Sequence, residues 1–149
     1  MNDDDSGVHK PLVDNFEKFQ EYTDKISENI PILANYVEVL KEYKGKMGTQ
    51  QDTKSMRTRM NHEIGESNEL IKQTLDLIQD LEDLKFKNKK DTDNKKKMLR
   101  RLNNSFEEYY EEFTKLIKEI HSNEKRFIEL QQSIFNASTV SEESTSVLN

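Results

Sequence analysis

Residues 99–120 read LRRLNNSFEEYYEEFTKLIKEI. Leu99, Leu102, Phe106, Tyr109, Phe113, Leu116 and Ile120 recur at alternating steps of three and four, so a helix aligns them in one stripe. Glu107, Glu108, Glu111, Glu112, Lys115 and Lys118 fall mostly elsewhere. A helix cannot bury its own stripe, so another part of the chain, or another chain, must cover this one.

The rest of the chain supplies candidates. Phe16, Phe19, Ile26, Ile30, Leu33, Val37, Leu40 and Met47 form a heptad-like series broken by Thr23 and Lys44. Met60, Ile64, Ile71, Ile78 and Leu81 form another, completed by Ser67 and Thr74. Punctuation separates them. Gly45 and Gly48 mark a helix stop, Asp52 or Thr53 is placed to cap a second helix, and the lysine-rich KFKNKKDTDNKKK follows as a connector with Asp91, Thr92 or Asp93 as the next cap. These signals predict helices over about 14–47, 53–84 and 93–135. Short connectors make neighbouring helices antiparallel, and the fold class is all-α: an elongated up-down-up three-helix bundle spanning 14–135. Residues 1–13 are expected to be a disordered N-terminal segment, and the Ser/Thr-rich 136–149 the start of a flexible linker. Pro31 removes one hydrogen bond inside the first helix. The stripe keeps its register across it, which predicts a kink, with a new helix capped by Asn29 as the alternative.

Composition agrees with a thin bundle. Of 149 residues, 32% are hydrophobic and 35% charged, a mix suited to a narrow core with much wetted surface. The net charge of −6 argues against a general nucleic-acid binder, and the absence of cysteine excludes disulfides, zinc-thiolate sites and thiol catalysis. No apolar run reaches the roughly 20 residues that span a bilayer, and MNDDDSG is not a signal peptide. His9, His62 and His121 stand in no metal-ligand or catalytic spacing, so no enzyme, metal or cofactor is expected.

The run ISENIPILANYVEVLKEYKGKMGTQQDTKSMRTRMNHEIGESNELIKQTLDLIQDL (Ile26–Leu81), a basic connector, and RRLNNSFEEYYEEFTKLIKEIHSNEKRF (Arg100–Phe127) together resemble the N-terminal Habc regulatory domain of syntaxins, the Qa-SNAREs. The connector Gly48-Thr49-Gln50-Gln51-Asp52 is similar to the G-T-x-Q-D pattern of the endosomal and vacuolar branch. The resemblance implies a non-catalytic domain of a t-SNARE in vesicle docking and membrane fusion, on the cytosolic face of endosomal or vacuolar membranes. Its implied partners are the protein's own SNARE helix, other SNAREs and a Sec-Munc-type regulator. The full-length protein would be membrane-anchored, with this chain as a soluble regulatory piece of it. MNDDDSGVHKPLVDNF shows no Asp-Arg-Thr version of the family's regulator-binding peptide. The alternative is a structural spacer like a spectrin repeat, although such repeats usually carry a core tryptophan and this chain has none.

Apolar residues beyond the core stripes mark candidate contact surfaces. Leu70, Leu77 and Leu84 on helix two, with Tyr110 and Ile117 on helix three, are placed to edge a groove for an amphipathic helix; equally, they are the wider face that seals a bundle. Ile32, Tyr36, Val39 and Tyr43 widen the apolar arc of helix one to roughly 160° on a helical wheel, a surface for a regulator, a weak homodimer or ordinary packing. Phe127, Leu130 and Ile134 continue the stripe of helix three past the expected first connector, where the linker, a SNARE helix or a second copy would cover them. Lys85–Arg101 holds nine lysines or arginines against two aspartates, a net +7, and reads either as a solvated loop or as a contact for anionic lipid headgroups.

Overall fold

The protein is represented by a computed structural model, with the backbone described from Asn2 to Leu148 and side chains from Asn15 to Ser138. Three helices follow one another: α1 (Asn2–Lys46), α2 (Lys54–Asp83) and α3 (Lys89–Leu148). No strand occurs among the described residues. The expectations for residues 1–13 and for most of 136–149 fall on side chains outside the described ones.

Contacts between the helix ends set the topology. Asn15 in the N-terminal third of α1 donates to the Lys85 carbonyl just past α2 at 2.7 Å, and Phe19 meets Phe86 edge-on at 5.9 Å. At the other end, Lys41 and Lys44 of α1 pair with Glu112 and Glu119 of α3. Helices α1 and α3 therefore run up while α2 runs down, and the three stripes enclose one core. Ile26, Leu33, Val37 and Leu40 meet Met60, Ile71, Ile78 and Leu81 of α2 and Leu102, Phe106, Phe113, Leu116 and Ile120 of α3. Burying each large aliphatic or aromatic side chain contributes about 1.5–3 kcal/mol, which is what holds the rods together.

Polar residues in the stripes are accommodated. The Ser67 hydroxyl donates to the Glu63 carbonyl at 2.6 Å. Thr74 donates to Leu70 at 2.7 Å while accepting from Asn29 Nδ2 of α1 at 3.1 Å, which fixes the α1–α2 register. Helix α1 passes through Pro31 without a break, and the exposed proline ring faces solvent. The alternative of a new helix starting there is not realised.

The caps explain the boundaries. Thr53 caps α2, its Oγ1 accepting from the Met56 N–H at 3.1 Å. Helix α3 begins at Lys89, upstream of the expected cap residues, because the Asn88 side-chain oxygen accepts from the Asp91 N–H at 2.7 Å and caps the helix first. Lys95 leaves the basic run altogether. Its ammonium is buried and donates to the carbonyls of Glu82 and Leu84, both at 2.8 Å, satisfying the orphan acceptors at the end of α2. Burial, with help from neighbouring Lys85, lowers its pKa from the usual lysine range.

Candidate functional site: the seams of the bundle

Three helices make three seams, and they are not equal. Helix α1 packs extensively against both α2 and α3, whereas α2 and α3 touch each other much less. The α1–α3 seam is bridged by the Lys41–Glu112 and Lys44–Glu119 pairs, which raise the Lys41 pKa and lower that of Glu119 through their hydrogen bonds. The α1–α2 seam carries two surface hollows. One of about 310 Å³ is lined by Lys25 and Asn29 of α1 with Gln73, Asp76, Leu77 and Asp80 of α2. The other, about 420 Å³, has Val39, Tyr43 and Lys46 facing Met56 and Arg59.

These neighbours decide which flank of each helix looks where. Leu77 lies on the α1 flank of α2, and Leu70, seven residues earlier, shares that flank. Both are half-buried against the core. Leu84 is buried at the end of α2, where its carbonyl receives Lys95. Leu75, two residues from Leu77, falls on the opposite flank of the core stripe and so faces the α3 side, 45% exposed. On α3, Glu112 and Glu119 line the α1 flank, which sends Ile117 and Tyr110 to the α2 side. Tyr110 is 38% exposed and stacks on core Phe106 with centroids 5.7 Å apart. Tyr110 and Ile117 thus fall on the α2 flank of α3, and Leu75 is an exposed apolar residue on the facing flank of α2, whereas Leu70 and Leu77 turn towards α1 and Leu84 closes the end of α2.

The second line on α1 is used mostly for packing. Tyr36 and Val39 are half-buried along α2, and Tyr43 packs on the core with the Lys46 ammonium 5.8 Å from its ring centroid. Burial first, then the nearby Glu66 and Glu63 carboxylates, raise the Tyr36 pKa. Ile32 alone of the four is exposed.

The first connector holds a clasp on α3. Gly48 takes φ +78°, and its N–H donates to Asp52 Oδ2 at 2.8 Å. Asp52 in turn grips Arg57 with two 2.8 Å bonds, Nε to Oδ1 and Nη2 to Oδ2. That guanidinium lies 5.4 Å from the centroid of Phe127. The ring sits so close over Gly48 that a Cβ there would be 2.4 Å from Phe127 Cζ. The Arg57 hydrogen bonds outweigh burial and hold the Asp52 carboxyl at about 2. Phe127 is therefore covered by this chain's own connector, while Leu130 and Ile134 further along α3 are exposed.

Among the described residues no group of three or more His, Cys, Asp or Glu is placed to hold a metal ion, and no helix is long and apolar enough to cross a membrane. A family model described as "Syntaxin-like protein" matches residues 22–149. No curated protein and no solved structure gives a match. The matched span takes in the core stripes from Thr23 onward, both connectors and the α2–α3 seam, and on that basis the chain belongs to the syntaxin-like family.

Proposed function

We propose that this bundle is the regulatory domain of a syntaxin-type t-SNARE in vesicle docking and membrane fusion, and that an amphipathic helix docks in its α2–α3 seam. The observation carrying this reading is the least-packed helix pair, flanked by exposed Leu75 and Tyr110 within a syntaxin-like chain. An approaching helix would lay its apolar stripe over these residues and Ile117, completing a four-helix arrangement. The occupant favoured by the family is the SNARE helix of the full-length, membrane-anchored protein, with other SNAREs or a Sec-Munc-type assembly factor competing for the same surface. The likeness of the first connector to the endosomal and vacuolar pattern supports action on the cytosolic face of those membranes. The spacer alternative draws no support from the family match.

Fluorescence anisotropy with a labelled syntaxin-type SNARE helix tests the seam. Saturable binding to the parent chain is expected, weakened about tenfold or more by Leu75→Lys or Tyr110→Lys, since each places a charge at an apolar contact. A helix that binds equally well to both variants would remove the α2–α3 seam from consideration. Leu77→Lys, on the α1 flank, should weaken it far less.

A further inference from the structure

Withdrawing Lys95 into the α2 cap leaves eight cations between residues 85 and 101, and all eight are exposed. Lys85 and Lys87 lie in the connector. On α3, Lys89, Lys96 and Arg100 repeat at steps of seven and four, which places them in one line pointing away from the core side occupied by Leu102 and Phe106. Lys90, Lys97 and Arg101 follow one position behind, on the flank towards α1. Asp93 is the carboxylate inside this face, and Asp91 is engaged by Asn88. Even with Glu82 and Asp83 at the end of α2 nearby, positive charge is in excess.

An apolar feature adjoins the cations. Phe16 of α1 is 60% exposed and shares a small hollow with Phe19, Phe86, Asp91 and Asn94, on the same flank as Lys90 and Lys97. An aromatic ring beside a broad lysine and arginine face is the arrangement that an anionic bilayer accepts: headgroup charge for the cations, interfacial depth for the ring.

We propose that this end of the bundle docks peripherally on an anionic lipid surface. The distribution of the remaining charge favours a bilayer over other polyanions. Of the net −6, the basic stretch accounts for +7, so the rest of the chain carries −13. Along the outer face of α3 the sign reverses at Glu107, Glu108 and Glu111, only about 9 Å beyond Arg101 at 1.5 Å per residue. A planar surface tilted onto the connector end meets the cations first and recedes from those carboxylates, whose repulsion is damped over the Debye length of about 8 Å. A duplex or an extended acidic chain following α3 would run into them.

Co-sedimentation of the full chain with vesicles tests this. Vesicles of phosphatidylcholine with about 30 mol% phosphatidylserine should bind the parent at about 0.1 M salt and release it at about 0.5 M, while pure phosphatidylcholine should not bind. The variant Lys89→Gln/Lys96→Gln/Lys97→Gln/Arg100→Gln should partition about a hundredfold or more weakly, at roughly fivefold per charge. A second variant, Lys85→Gln/Lys87→Gln/Lys89→Gln/Lys90→Gln, gives the same reading through the connector should the first lose its helical circular dichroism. The control Lys54→Gln/Lys72→Gln/Lys118→Gln/Lys125→Gln, which removes equal charge elsewhere, should keep binding. No sedimentation with anionic vesicles, equal loss in the control, or displacement from vesicles by an equal phosphate concentration of duplex DNA would overturn the proposal. The assay contains no SNARE helix, so its result stands apart from that of the α2–α3 seam.

Discussion

Replacing Gly48 with alanine should be costly, and the cost should depend on Phe127. Two separate effects contribute. At φ +78° an L-residue loses about 1 kcal/mol relative to glycine. The new Cβ would also stand 2.4 Å from Phe127 Cζ, far inside van der Waals contact, so the ring must leave its place over the connector. Forced displacement of this kind costs about 1–3 kcal/mol. Gly48→Ala should therefore destabilise by about 2–4 kcal/mol. Phe127→Ala, which removes a half-buried ring and the face that Arg57 lies over, should cost about 2 kcal/mol, below the value for a fully buried phenylalanine. In the double variant the ring is gone, so only the backbone term of about 1 kcal/mol adds to the loss of the ring. The pair should thus be non-additive by about 1–3 kcal/mol. Urea unfolding followed by helical circular dichroism at a fixed temperature measures all four corners of the cycle. Additivity within about 0.5 kcal/mol would refute the claim that α3 is clasped by the first connector.

Asp52→Asn should destabilise by about 1 kcal/mol at neutral pH: holding a carboxyl at about 2 against a model value of 3.8 represents about 2 kcal/mol, discounted because the Arg57 side chain is 31% exposed. Since the folded pKa is depressed, the contribution is complete above about pH 5 and is lost as pH falls through 2, so the gap between parent and variant should shrink steadily and close by about pH 1; a gap of undiminished size at pH 2 contradicts the ion pair. Lys95→Met keeps the stem but strips the Glu82 and Leu84 carbonyls of their donor, and should lower stability by about 1–3 kcal/mol in urea titration, whereas Lys96→Met should be nearly neutral. Thr74→Val keeps the volume but leaves Asn29 Nδ2 without its acceptor; a loss of about 1 kcal/mol is expected, and Asn29→Ala on that background should add little.

Much of the bundle is legible because period and burial are tied together: a stripe such as Leu102, Phe106, Phe113, Leu116 and Ile120 has one way to avoid water, and these five are buried. Handedness is not written in the stripe. A helical wheel puts Leu75 and Leu77 on either flank of the core line with equal standing, and only the placement of α1 beside Leu77 decides that Leu75 faces the α3 side. Phe127 was legible as an apolar residue but not as a covered one, because counting helix lengths puts it beyond the connector. The signal lay in Gly48, Asp52 and Arg57, whose spacing lets one carboxylate hold both the turn and the guanidinium. The start of α3 was obscured by three good caps in a row, Asp91, Thr92 and Asp93, when Asn88 came first. Lys95 was hidden among like residues, since nothing local distinguishes the lysine that reaches back to the end of α2.

The inequality of the seams has an energetic consequence for any helix that docks. Because α1 holds both partners, a ligand entering between α2 and α3 need not break the contacts that fold the bundle. What the seam offers is limited. Leu75 and Tyr110 are already more than half covered, so completing their burial contributes on the order of 1–2 kcal/mol together. Association of a free helix costs at least about 4 kcal/mol in lost freedom, which that gain does not offset; the ligand's own uncovered stripe must supply the rest. A helix tethered to the same chain escapes most of that cost, since a flexible linker holds it at an effective concentration of about millimolar. The geometry therefore suits weak, reversible closure by a linked helix better than tight capture of a free one. Such closure is what the proposed regulatory role requires, because a domain in that role must release its helix when assembly begins.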